Sequence, residues 1–182
     1  MNSLNGKKTY NRMWLIAYLL SAAAIVGIDQ LTKWLAVEYL KPIGDFPLIN
    51  DVLHLTYVEN RGAAFGMLSD NRWVFMVLST VAILGIGVFM CVFSHRINPI
   101  FGAALAMIVG GGIGNMIDRV MLGYVVDFIN FELIDFAVFN GADSFICIGA
   151  AIMFIYVIFF DREEKTGKKT KEEGSDNAEN EA

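Results

Sequence analysis

Residues 97–119 read INPIFGAALAMIVGGGIGNMIDR. The first 17 of these carry no charge, and the run then closes on Asn115, Asp118 and Arg119. An apolar stretch of this length, rich in small residues and finished by polar ones, has the make-up of a membrane-spanning helix packed against neighbours. Three further stretches are nearly free of charge: 13–28, 73–93 and 145–160. The chain has 182 residues, of which 55% are hydrophobic, and a mean hydropathy of +0.51. A soluble domain of this size has no use for so much apolar surface. Four spans and one membrane domain follow, over residues 1–160. The expected fold is an all-α integral membrane protein with four transmembrane helices.

The connections add detail. Span one runs helically to about residue 37 and carries Asp29, Gln30 and Lys33 toward its end. Asp29 and Lys33 are four apart, so they share a helix face and can pair; Lys33 can also snorkel toward the interface. Pro42, Gly44 and Pro47 then break the helix. Residues 51–58, DVLHLTYV, have the β-branched and aromatic content of one or two short strands. Residues 131–139, FELIDFAVF, read as an amphipathic interfacial helix. Asn140 suits an N-cap, which places Asp143 in the first turn of span four.

Lys and Arg placement orients the chain. Lys7, Lys8 and Arg12 precede span one, and Arg162, Lys165, Lys168, Lys169 and Lys171 follow span four. Both termini are therefore expected in the cytoplasm, as an even number of spans requires. The two longer connections, with the β-containing segment, face outward. Residues 161–182 hold eight acidic and five basic residues and almost nothing apolar. That composition predicts a disordered, solvated tail, and it accounts for much of the net charge of −5. The basic N-terminus followed by Ser21 and Ala22 also suits a cleavable signal peptide, but the helical pattern continues past it to residue 37. Cys91 and Cys147 fall near opposite membrane faces, too far apart to bridge.

Asp29, Asp118, Asp127 and Asp143 all lie inside or beside the spans. An Asp at the centre of a membrane helix costs roughly 2.5–3.5 kcal/mol on insertion scales, so such groups are paired, solvated or used. Asp127 and Asp143 stand in separate short polar motifs, 16 residues apart. If the intervening chain turns back, they form a carboxylate dyad able to activate water. The spacing equally permits ion-pair or capping roles. Asn115, Asp118 and Arg119 share one helix face, where an Asp beside an Arg cancels charge. The two histidines, His54 and His95, have no zinc-ligand spacing. There is no phosphate loop and no basic patch interleaved with aromatics, so neither a nucleotide nor a nucleic acid is expected. A proton- or ion-coupled transporter using intramembrane carboxylates, or a scaffold whose acids only neutralise Lys33 and Arg119, are the competing readings.

Five motifs carry a family resemblance: DQLTK from Asp29, NRGAAFG from Asn60, GNMIDR from Gly114, VVDF from Val125 and FNGADS from Phe139. Together, in this order and spacing, they resemble the bacterial lipoprotein signal peptidases, the type II signal peptidases, over residues 12–160. The resemblance implies an aspartyl endopeptidase of the bacterial inner membrane that acts on diacylglyceryl-modified lipoprotein precursors, cutting just before the modified cysteine. It implies Asp127 and Asp143 as the catalytic pair. Asn60, Asn115, Arg119 and Asn140 match residues that line or brace the site. Asp29 and Asp118 match positions associated with structure and substrate placement, and Gly111 lies in a glycine run beside the site. No cofactor is implied, because water is the nucleophile. The family often has Pro shortly before FN, where this chain has Ala137 and Val138. The NRGAAFG segment, with Phe65 as an apolar plug, is expected to fold over the site.

Overall fold

The computed structural model describes residues 2–62, 72–94 and 96–159. Helix α1 spans Asn2–Leu35 and runs without a break into a π-helical turn, Ala36–Leu40. After it come strands β1, Asp45–Ile49, and β2, Leu53–Asn60. Helix α2 is Arg72–Phe93 and helix α3 is Pro99–Met121. Strand β3, Val125–Asn130, leads through a single 3-10 turn, Glu132–Ile134, to helix α4, Gly141–Phe159. Each of the four helices contains a stretch long and apolar enough to cross a membrane, the first starting at Met13 of α1 and running through the π-helical turn to Leu40. Residues 63–66 of the NRGAAFG motif, including Phe65, lie outside the described residues, as do His95 and the charged tail.

Helix α1 buries Tyr18, Ala22, Ile25, Asp29 and Lys33, and the π-helical turn continues the line with Ala36 and Leu40. These positions recur at intervals of three and four, so they form one seam along the helix. The opposite face, with Leu19, Leu20, Leu31 and Trp34, is exposed. Apolar side chains on that outward face match lipid, and only the seam sets the helix's rotation. The seam meets α3, the central helix, which buries Gly102, Ala104, Leu105, Ala106, Gly110, Gly111, Gly114, Asn115 and Asp118. Tyr18, Ala22, Leu105, Ala106 and Met90 of α2 make the inner core cluster.

Two glycines of α3 decide how close its neighbours come. A side chain at Gly114 would collide with the Asp29 carboxylate on α1. One at Gly111 would meet the Ala142 carbonyl at 2.5 Å and Ile146 at 2.8 Å, both on α4. Small residues permit such backbone approach, and in lipid it is packing and hydrogen bonding that hold helices together. Helix α2 contributes least: 6% of its apolar window is buried, so it is largely a lipid-facing helix.

The β-containing segment is a three-stranded antiparallel sheet in the order β1-β2-β3. It joins the two long connections, because β2 comes from the first and β3 from the second. The register pairs Val58 with Asp127 and Asn60 with Val125. The turn between β1 and β2 uses Asp51 at φ 60°, and Gly44, at φ +80°, begins the sheet. Val126 packs with Ala36 and Leu40 of the π-helical turn, so the sheet sits on the end of span one. His54 ties the outer parts together: its Nδ1 lies 3.0 Å from Asp45 and its Nε2 2.8 Å from Glu132.

Several details differ from the sequence reading. The interfacial helix is one 3-10 turn; the chain then extends so that Phe139 bridges Ile129 of β3. Three phenylalanines, two acids and a β-branched pair leave the segment short of helical propensity, and the bridge supplies backbone partners instead. Span one is longer than residue 37, because the π-helical turn, closed by Lys41 N–H to Ala36 O at 2.8 Å, delays the break to Pro42. Lys33 does not snorkel; it is 3% exposed. Cys91 and Cys147 are free thiols, both exposed on the helices.

The two glycine environments yield a paired expectation. Gly114→Ala should destabilise by about 1–3 kcal/mol through overpacking. Gly27→Ala and Gly85→Ala, where an added carbon meets nothing within 4 Å, should be neutral or raise stability by up to about 1 kcal/mol. Thermal unfolding in one detergent checks both; a Gly114→Ala melting temperature equal to that of the controls would contradict the close approach.

Candidate active site

Asp127 lies mid-strand in β3 and is 1% exposed. Its Oδ1 accepts from Asn140 Nδ2 at 2.6 Å and its Oδ2 from Asn60 Nδ2 at 2.8 Å. Asp143 is the third residue of α4. Its Oδ1 accepts from Asn115 Nδ2 at 2.7 Å, and its Oδ2 from the Asn140 backbone N–H at 3.3 Å. The two carboxylates are thus both bound to Asn140, one through its side chain and one through its backbone.

Local sequence explains the second aspartate. Asn140 is the N-cap of α4, and its Oδ1 accepts the Asp143 N–H at 3.0 Å. Asp143 reaches back to the Asn140 N–H. This reciprocal pair is a capping box, with Asp in place of the usual Glu. The capping role foreseen for Asn140 thus involves Asp143 itself, in one turn of chain.

The directions of the amides are dictated by obligate donors. Asn60 Oδ1 accepts the Gly62 N–H at 3.0 Å, and Asn140 Oδ1 accepts the Asp143 N–H. Asn115 Oδ1 accepts from Lys33 Nζ at 2.9 Å and from Asn140 Nδ2 at 3.1 Å. A backbone N–H and an ammonium can only donate, so each carbonyl oxygen faces them and each NH2 group faces a carboxylate. Three asparagines thereby aim their amide donors at two acids.

Behind this layer lies a second carboxylate pair. Asp29 Oδ1 accepts the Ala142 N–H at 3.0 Å, holding the first turn of α4 one residue before Asp143. Asp118 Oδ2 accepts the Val126 N–H at 3.0 Å, holding β3 one residue before Asp127. Lys33 lies 2.9 Å from Asp29 and 3.1 Å from Asp118. Gln30, read from the sequence only as a polar residue near the end of span one, bridges the same two acids with contacts of 3.3 and 3.0 Å.

This corrects the expected pairing of Asp118 with Arg119: the partner of Asp118 is Lys33, reached across helices. Among the described residues Arg119 makes no ion pair; its NH1 lies 3.5 Å from the Asn115 carbonyl. It interacts electrostatically with Asp143 first, then with Asp127 and Asp118. Gly111 touches neither acid and acts by admitting α4. Lys33 was legible only as an i, i+4 partner of Asp29; its contact with Asn115 required the fold.

Burial pushes the Asp127 carboxyl up to about 6, and the charge of Asp143 adds to the rise. The amides of Asn60 and Asn140 oppose it. Desolvation therefore outweighs the donors, and Asp127 keeps its proton to a higher pH than an ordinary carboxyl.

The site now meets its relatives. The model of the family described as signal peptidase (SPase) II matches residues 21–159. The chain belongs to this family. It is 53% identical over 137 residues to the lipoprotein signal peptidase of Caldanaerobacter subterraneus subsp. tengcongensis, covering 75% of this chain and 92% of that one. It is 42% identical over 149 residues to the lipoprotein signal peptidase of Clostridioides difficile, covering 81% and 99%. A solved bacterial membrane enzyme shares the fold with a TM-score of 0.69 and 32% identity, over 78% of this chain and 87% of that one. The chain is accordingly a multi-pass membrane protein and a peptidase by family.

The raised Asp127 carboxyl carries a stability consequence. A carboxyl whose folded pKa exceeds its unfolded value binds its proton more tightly in the fold. It contributes stability at pH below about 4, which is lost as pH rises through about 6. Asp127→Asn removes this slope. Relative to the variant, wild type should lose on the order of 2–3 kcal/mol between pH 4 and pH 7. Unfolding of both proteins in detergent across that range measures it, and a constant difference would mean that the carboxyl is not desolvated.

Proposed function

We propose that this chain is an intramembrane aspartyl endopeptidase that removes the signal peptide from diacylglyceryl-modified prolipoproteins, cutting before the lipid-modified cysteine. The observation that carries the reading is that Asn140 is hydrogen-bonded to both Asp127 and Asp143. The family assignment supports the same reaction, and nothing in the fold favours the transporter.

In this mechanism the two carboxylates share one proton. The ionised member takes a proton from water as that water attacks the scissile carbonyl carbon. The protonated member donates to the carbonyl oxygen as the tetrahedral intermediate forms. When the C–N bond breaks, the carboxyl that took the water's proton gives it to the departing amine, which stays on the lipidated cysteine, while the other carboxylate takes a hydroxyl proton back from the intermediate, so the carbonyl re-forms and the pair again shares one proton. The pair works as a unit, so either aspartate can hold the proton at a given step. Asn60, Asn115 and Asn140 keep the carboxyls in place while their charge changes. A lipid anchor confines the substrate to the plane of the membrane and raises its local concentration.

The reading places the protein in the bacterial inner membrane, with both termini in the cytoplasm and the dyad and sheet toward the outer face. The Lys and Arg distribution supports this orientation.

Cleavage of a diacylglyceryl-modified lipobox peptide in lipid or detergent tests the chemistry. Asp127→Asn and Asp143→Asn should each lower turnover by at least about 100-fold, the low end for losing a positioned acid or base, while remaining folded. Either folded variant at full activity would sink the dyad. Orientation is checked separately in a background with Cys91 and Cys147 replaced by Ser. Asp51→Cys should react with a membrane-impermeant maleimide in intact cells. Ser94→Cys should react only after permeabilisation; the reverse pattern would invert the topology.

A further inference from the structure

Lys33 is buried and contacts neither Asp127 nor Asp143 among the hydrogen bonds and ion pairs of the described residues. Two of its contacts, with Asp29 and Asp118, neutralise it. The third, 2.9 Å to Asn115 Oδ1, is not needed for neutralisation. It does something else. An ammonium has only donors, so it fixes the carbonyl end of the Asn115 amide toward itself. The NH2 end then points at Asp143, where Nδ2 to Oδ1 is 2.7 Å. With the amide turned over, its oxygen would face the carboxylate and its NH2 would face both Lys33 and the Asn140 NH2. Those are like-with-like contacts at every partner, in a site too buried for water to relieve them.

We propose that Lys33 is a positioning residue for the reaction: through Asn115 it fixes the amide donor that Asp143 accepts. The inference rests on the dyad reading. It separates Lys33 from Asp29 and Asp118, whose contacts hold the backbones of α4 and β3. Lys33 acts on a side chain that touches the reacting group, so its loss should register in kcat rather than in substrate binding.

The test is a double-mutant cycle with Lys33→Met, Asn115→Leu and both together, assayed on the lipobox peptide per folded molecule. Each single change should lower kcat by about tenfold or more, within the range for losing one donor at a reacting centre, and leave KM within about twofold. The double variant should be no slower than the slower single one, because the two residues form one path. Losses that multiply, a loss confined to KM, or wild-type kcat in folded Lys33→Met would overturn the proposal. Should Lys33→Met fail to fold, Lys33→Met/Asp118→Asn keeps the net charge of the cluster, and the cycle is run with Asp118→Asn as its reference. Asp127→Asn is assayed beside them. Activity there would overturn the dyad and this proposal together, whereas multiplicative losses beside an inactive Asp127→Asn would overturn this proposal alone.

Discussion

The arrangement depends on one buried cation. Lys33 sits between Asp29 and Asp118 at ion-pair distance, with all three almost wholly removed from solvent. An isolated charge in such a place would cost several kcal/mol, and the cluster is tolerable only because its members are paired and hydrogen-bonded. Each acid also accepts a backbone N–H, one from α4 and one from β3. A helix that starts after the third connection and a strand from outside the membrane are thereby tied to α1 and α3. The ion cluster is therefore the point where α1, α3, α4 and β3, four of the elements that make the site, are joined.

On that base the proposed dyad is held by neutral donors rather than by ion pairs. Asn60, Asn115 and Asn140 each present an amide NH2 to a carboxylate. Neutral donors hold a carboxyl in position without forcing it to ionise, as a nearby ammonium would. Burial then dominates at Asp127 and raises it to about 6. In the proposed mechanism a pair that passes one proton back and forth needs this balance: enough donors to fix geometry, and too little positive charge to strip the proton away. Arg119, near both acids but outside ion-pair distance of either, fits the same restraint.

The lipid-facing architecture follows from packing at one seam. Span one is set by seven buried positions, and α3 answers with small residues that let α1 and α4 approach its backbone. The sheet rests on the π-helical end of span one through Val126, Ala36 and Leu40. Asp127 and Val126 point to opposite faces of β3, as neighbouring strand residues must. One face of a six-residue strand thus anchors the sheet while the other supplies half of the dyad.

Much of this was legible in the residues themselves. Apolar runs and charge placement determined four spans, because a membrane requires about 20 apolar residues per helix whatever surrounds them. Asn140 as a cap and Asp29 with Lys33 as a pair were legible because both are local, set by helical spacing of three and four. The strand at Val125–Asn130 was not, since its partner is β2 and the pairing is long-range. Nor was the partner of Asp118: a neighbour in sequence, Arg119, seemed sufficient, while the cation that reaches it comes from 85 positions earlier in the chain. Sequence alone determined which residues must leave water, because that depends on their own chemistry and local spacing. Only the tertiary structure decided which buried acid meets which donor, because a hydrogen bond a few ångströms long depends on how helices far apart in sequence are rotated and how closely glycines let them come.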